Sequence, residues 1–191
     1  MKPTVNYIKN LDELKKDPDN EICYEDEAHF YRSTTITRMH AKIGQQPQIP
    51  CPTGKLKTAY FGFVLPEMGT LFTYECAKFN FETFIEATKE YVVKHPVPIG
   101  KTRIVILDRA SWHKKGVRLM QECDLFDGRV KFAFLPAYSP DLNPIERVWR
   151  ITRKKRTHNR FFDTLGMLKK VLSDFFDSLS LPNELLKSLC Q

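Results

Sequence analysis

Three carboxylates in this sequence stand where rigid elements are expected to begin or end. Asp26 lies in the acidic run Glu25-Asp26-Glu27, directly after the apolar residues Ile22, Cys23 and Tyr24. Asp108 follows four consecutive aliphatics, Ile104, Val105, Ile106 and Leu107. Glu146 comes just after a loop in which Pro136, Pro140 and Pro144 each fix a φ angle and remove a backbone donor. Oxygen ligands held on stiff supports are what Mg²⁺ takes, so a divalent-cation site is the chemistry these residues would perform together.

Each carboxylate also has an ordinary reading. An acidic run at a strand end makes a solvated turn, and Glu25 and Glu27 compete with Asp26 for any ligand role. Asp108 can cap a turn or the following helix. Asn143 is a good N-cap with Pro144 at the first helical position, so Glu146, three residues on, is placed for a capping box. His113 is read either as a group that orients a phosphate or a water from behind the ligands, or as a plain first-turn residue.

The supporting elements follow from periodicity and punctuation. Residues 4–17 carry Val5, Ile8, Leu11 and Leu14 at helical spacing, and Asp17-Pro18 ends that helix. Strands are expected over 21–26, 57–65, 70–76, 103–108 and 129–135, with a hairpin turn at Pro66-Glu67-Met68-Gly69. Residues 31–56 read as turn-rich chain, with Arg32, Arg38, Lys42 and Lys55 along it, either a solvated loop or a DNA track. A helix capped by Asn80 runs to His95, where Pro96 stops it, and a second starts near His113 and ends near Cys123. The aliphatic run 104–107 needs cover on both faces, as in an interior parallel strand, and Asp108 at its carboxyl end lies where open α/β sheets bind ligands. Apolar residues from Phe161 to Leu179 form one last helical stripe before a short tail.

At 191 residues, 42% of them hydrophobic, the chain suits one well-cored domain rather than two. Lys and Arg number 30 against 23 Asp and Glu, a net +7 that suits a polyanionic partner. Seven cations fall between Arg147 and Arg160 with no acid among them. Arg147, Arg150, Arg153, Lys154, Lys155 and Arg156 are therefore the candidate phosphate contacts, with a solvated charged helix as the alternative. Five scattered cysteines without metal spacing, and no signal peptide, fit a reducing interior. No apolar run is long enough to cross a bilayer as a helix.

Taken together, YEDEAHF (24–30), IVILDRASWHK (104–114) and LPAYSPDLNPIERVW (135–149) resemble the DDE transposases, in the bacterial insertion-sequence group related to the Tc/mariner elements. The third motif is the most specific, and the likeness spans roughly residues 20–155. The chain departs from the family in having Asp108-Arg109 where Asp-Asn is usual, and Met39-His40 near a position where tryptophan is common.

The resemblance implies an α/β, ribonuclease-H-like mixed sheet, an antiparallel hairpin plus parallel strands, flanked by helices. It divides the chain into an N-terminal helix or connector (1–20), a catalytic domain (21–160) and a C-terminal amphipathic helix packing on that domain (161–191). In that fold the strands carrying Asp26 and Asp108 lie side by side. It also implies Asp26, Asp108 and Glu146 as catalytic ligands of two Mg²⁺ ions about 4 Å apart, replaceable by Mn²⁺, with Asp26 bridging and His113 and Asn143 in support. The implied reaction is cleavage of DNA at insertion-sequence ends, then strand transfer into target DNA. Homo-oligomers during transposition and a cytoplasmic, nucleoid-associated setting go with it. With a strand starting near residue 21, no room is left ahead of it for the helix-turn-helix modules usual in such enzymes. A catalytic fragment or the product of a split reading frame is expected. Another ribonuclease-H-like nuclease, or an inactive DNA-binding remnant, is the alternative.

Overall fold

The run Ile104–Leu107 is apolar at every position because both its faces are covered. In the computed structural model, which describes residues 11–51 and 53–190, it forms the strand Thr102–Leu107 (β4), with all four aliphatics buried. The other strands are Asn20–Tyr31 (β1), Lys57–Leu65 (β2), Thr70–Cys76 (β3) and Val130–Phe134 (β5). They form one sheet in the order β3-β2-β1-β4-β5. β1, β2 and β3 pair antiparallel, whereas β1–β4 and β4–β5 pair parallel. This is the expected mixed sheet, with β1 joining its two halves.

Period-2 alternation sorts the side chains into two cores. Ile22, Tyr24, Tyr60, Val64, Ile104 and Ile106 face the helices Ile145–Thr152 (α4), Leu165–Asp177 (α5) and Glu184–Cys190 (α6). Cys23, Phe61, Phe63, Val105 and Leu107 face Phe81–Lys94 (α2) and Ser111–Glu122 (α3). The result is a three-layer α/β/α sandwich whose fold is ribonuclease-H-like. Asn80 caps α2 as expected, its Oδ1 accepting from Thr83 N at 2.8 Å while Thr83 Oγ1 accepts from Asn80 N.

Several expected boundaries move. β1 does not stop at Asp26; it continues to Tyr31 because residues 24–31 pair with β2 after β4 has ended. The last stripe starts at Leu165, where Thr164 caps the helix, rather than at Phe161, and the tail folds into α6. Residues 11–16 are helical (α1), and Leu11 and Leu14 pack on the α5 core. Val5 and Ile8, which would begin that stripe, lie outside the described residues. The basic helix is also not continuous to residue 160. α4 ends at Thr152 and a π-helical turn, Arg153–Thr157, follows.

Candidate active site

The parallel register decides where the carboxylates meet. Tyr24 pairs with Ile106, so two further residues along each strand bring Asp26 alongside Asp108, just where β4 ends and the sheet opens. Glu146 comes from the first turn of α4. All three line one cavity of about 470 Å³, walled on its far side by residues from Leu135 to Pro140.

Asn143 sets the position of Glu146. It is extended, at φ −99° and ψ 104°, and its Oδ1 accepts from Ile145 N at 3.3 Å, while Pro144 already has helical angles. Its amide Nδ2 donates to Glu25 O at 2.9 Å, which pins the loop to β1 beside Asp26. The backbone N–H of Asn143 donates to Pro140 O at 2.9 Å, so it is not the partner of Glu146 and the capping box does not form. The Glu146 carboxylate is directed to the cavity instead.

Asp26 lies on the α4 face of β1. Trp149 Nε1 donates to Asp26 Oδ2 at 3.1 Å, and the indole packs against Gly62, the residue paired with Asp26 on β2. A Cβ at Gly62 would lie 2.5 Å from Trp149 Cη2 and Cζ2, so only glycine admits the ring here. Trp149 is a core residue. It is fully buried among Phe30 and Phe176, but it also holds the carboxylate. Burial pushes the Asp26 carboxyl well above its ordinary pKa, and the charges of Glu27, Glu146 and Glu25 push it further.

Asp108 is held differently. Its Oδ1 accepts from Ala110 N at 2.8 Å and lies 2.7 Å from His113 Nδ1. The His113 hydrogen bond holds its pKa below the ordinary value, against a smaller opposing effect of burial. Arg109, the departure from the usual Asp-Asn pair, donates from Nε to Leu135 O at 3.0 Å and so ties the end of β4 to the cavity loop.

Glu25 and Glu27 project from the opposite face of the strand, toward α3. His113 Nε2 lies 3.2 Å from Glu25 Oε2 and 3.1 Å from Glu27 Oε1. Burial raises the Glu25 carboxyl, while burial of His113 is outweighed by the Glu25 charge and the Asp108 hydrogen bond, which keep the imidazole protonated above its ordinary range. Glu25, Glu27 and His113 are the one group of three acidic or metal-ligating side chains among the described residues whose ligand atoms all lie within 4.8 Å of one another. The roles of Glu25, Glu27 and Trp149 were not legible in advance. The signal that bears on the two glutamates is strand alternation, which puts neighbours in an acidic run onto opposite faces.

The basic segment divides by environment. Arg147 Nη1 donates to Leu189 O at 2.9 Å and anchors α6. Arg153 and Arg156 lie over the rings of Phe30 and Phe175, at 5.4 and 4.7 Å. Arg150, Lys154 and Lys155 are exposed, and Arg150 shares a cavity of about 370 Å³ with Glu146. Tyr138 stands fully exposed on the rim of the main cavity, in the left-handed region at φ 57°. A bulky side chain in that conformation is uncommon.

A ribonuclease-H-like sheet with three acids around the mouth of one cavity defines the class of protein. The chain belongs to the DDE superfamily endonucleases, whose family model matches residues 21–169. Among solved structures it is similar to the Mos1 transposase paired-end complex with the left transposon end, with a TM-score of 0.70 at 16% identity, covering 98% of this chain and 56% of that one. It is also similar to the Mos1 mariner paired-end complex with Mn, with a TM-score of 0.65 at 18% identity, covering 89% of this chain and 51% of that one. At these identities the likeness is one of fold. A curated relative, the uncharacterized protein y4pE/y4sA of Sinorhizobium fredii, is 33% identical over 79 residues, 40% of this chain and 54% of that protein. The chain thus spans about half the length of the relatives it matches.

Proposed function

We propose that this chain is the catalytic part of a transposase that cuts DNA at the ends of an insertion sequence and joins the freed ends to target DNA. The observation that carries the reading is the β1–β4 register, which sets Asp26 beside Asp108 at the mouth of the cavity that Glu146 also lines. The donor set fits a hard divalent cation. It is all oxygen, it lies at a cavity, and Asp26 is burdened by neighbouring negative charge that an external cation would relieve. Asp26, Asp108 and Glu146 would hold Mg²⁺ or Mn²⁺. When bound, such ions supply Lewis-acid activation of the attacking oxygen and neutralise charge on the leaving one.

The chain's own residues do the positioning. Trp149 fixes Asp26, His113 and Ala110 N fix Asp108, and Asn143 fixes the start of α4 that carries Glu146. Exposed Arg150, Lys154 and Lys155 contact backbone phosphates, and Tyr138 offers an aromatic face to a base at the cavity rim. Selective recognition of the element ends is assigned to a separate or upstream helix-turn-helix segment, and the chain acts as a homo-oligomer at the nucleoid. The test is nicking of duplex DNA carrying the element ends, with Mg²⁺ or Mn²⁺. Wild-type chain should cut, and Asp108→Asn should not. Cleavage confined to RNA–DNA hybrids would move the chain to another nuclease class, and a fully active Asp108→Asn chain would remove the assignment.

A further inference from the structure

The part of the acidic run that faces away from the cavity is joined to the cavity through one side chain. Glu25 is completely buried, and neither of its carboxylate oxygens has a well-aligned hydrogen-bond partner. Both Glu25 and Glu27 close on His113 Nε2, while His113 Nδ1 addresses Asp108. Trp112 Nε1 donates to Glu27 Oε1 at 2.6 Å, which fixes the second glutamate. Phe84 lies edge-on to the imidazole, with centroids 4.6 Å apart, and α3 carries Gly116 where a Cβ would lie 2.7 Å from Phe84 Cδ1. The ring is thus hydrogen-bonded at Nδ1, in close charged contact at Nε2 without an aligned hydrogen bond there, and packed on its face.

We propose that Glu25 and Glu27 are positioning residues for Asp108 and act on it through His113. The two carboxylates hold Nε2. That fixes the plane of the imidazole and turns Nδ1–H onto Asp108 Oδ1, which leaves Oδ2 to be presented to the cavity. The inference rests on the ligand role proposed above for Asp108. Its physical motive is that the Asp108 side chain is 53% exposed and, without this grip, free to change rotamer. A buried carboxylate is costly to keep unless it is paired and hydrogen-bonded, and Glu25 gains its partner only through the histidine. A carboxylate behind a histidine, orienting it toward the group it serves, recurs in metal sites. Here the group served is the ligating aspartate.

The test is Mn²⁺ titration calorimetry on the full chain, with thermal unfolding run on every variant. Glu27→Ala should weaken Mn²⁺ binding by about 10–100-fold, the usual effect of removing such a partner. Glu25→Ala should do the same where it folds, and Glu27→Ala serves where it does not. His113→Asn keeps a donor close to the place of Nδ1 but offers nothing at Nε2. In that background Glu27→Ala should have no further effect. An equal effect in both backgrounds would mean that Glu27 touches the ion directly and would overturn the proposal. So would the loss of one whole equivalent of Mn²⁺ in Glu27→Ala, which would show that Glu25, Glu27 and His113 hold a cation of their own. A metal-free crystal structure of Glu27→Ala should show Asp108 displaced. Asp108 unmoved overturns the proposal whether or not the chain cuts DNA. Unchanged Mn²⁺ binding in Asp108→Asn would instead remove the proposed function, and the ligand role with it.

Discussion

The two faces of β1 treat negative charge in opposite ways. On the α3 face, Glu25 and Glu27 meet the imidazole of His113 and the indole N–H of Trp112, so their charge is answered from within the fold. On the α4 face, Asp26 receives one indole N–H from Trp149, and the charges that act on it are those of Glu27, Glu146 and Glu25. The first face carries its own cation, shared among its carboxylates although Glu25 lacks an aligned hydrogen bond; the second is left short of positive charge at a cavity open to solvent. Neighbouring residues of one strand thus place Glu25 and Glu27 against His113 on one face and Asp26 at the cavity on the other, through alternation alone.

Breaking the unfinished face should have the largest effect. Asp26→Asn, Asp108→Asn and Glu146→Gln should each lower the rate of metal-dependent DNA cleavage by roughly 10²–10³-fold or more, the scale on which single preorganised electrostatic groups matter. Circular dichroism should show the fold kept in each. Gly62→Ala comes next. Its Cβ would drive Trp149 off Asp26, costing about 1–3 kcal/mol in urea unfolding, with cleavage reduced as well.

The same contrast has a sign in pH. Because the folded-state pKa of Asp26 lies above its unfolded value, its contribution to stability is full below the ordinary aspartate range and is lost as pH rises through the raised value. Metal-free Asp26→Asn should therefore melt higher than wild type near neutral pH and not in acid, since the amide still accepts from Trp149 without the charge. Added Mn²⁺ should raise the Tm of wild type and not of this variant. A melting difference that persists unchanged at low pH would contradict this account.

The surface effects are the smallest. Tyr138→Ala should lose about 1–3 kcal/mol of DNA affinity if a base stacks there, measured by fluorescence anisotropy. Replacing Lys154 and Lys155 by Ala should weaken binding evenly across sequences and lower the salt slope by about one for each phosphate that is no longer neutralised. Neither change should move the Tm.

The strands of the hairpin, the capped helix α2 and the interior strand β4 were all legible, because each is specified locally by alternation, a cap or a continuous aliphatic run. The three cavity acids were legible too, through motif order and the strand-end position of Asp108. What could not be read was set by pairing. Asp26 sits mid-strand because β2 continues past the end of β4, which no residue near Asp26 announces. Trp149 is a core residue, but its N–H finds Asp26 only because Gly62 clears space on a strand distant in sequence. The basic segment read as one surface, whereas Arg153 and Arg156 lie over Phe30 and Phe175, the exposed Arg147 is tied to Leu189 O of α6, and Arg150, Lys154 and Lys155 face solvent.

The most direct measurement is anomalous diffraction from crystals soaked in Mn²⁺. The account predicts a peak in the cavity between Asp26 and Asp108, within reach of Glu146, and an α3 face that holds His113 without an ion. A cavity without a peak, or a peak only among Glu25, Glu27 and His113, would contradict it.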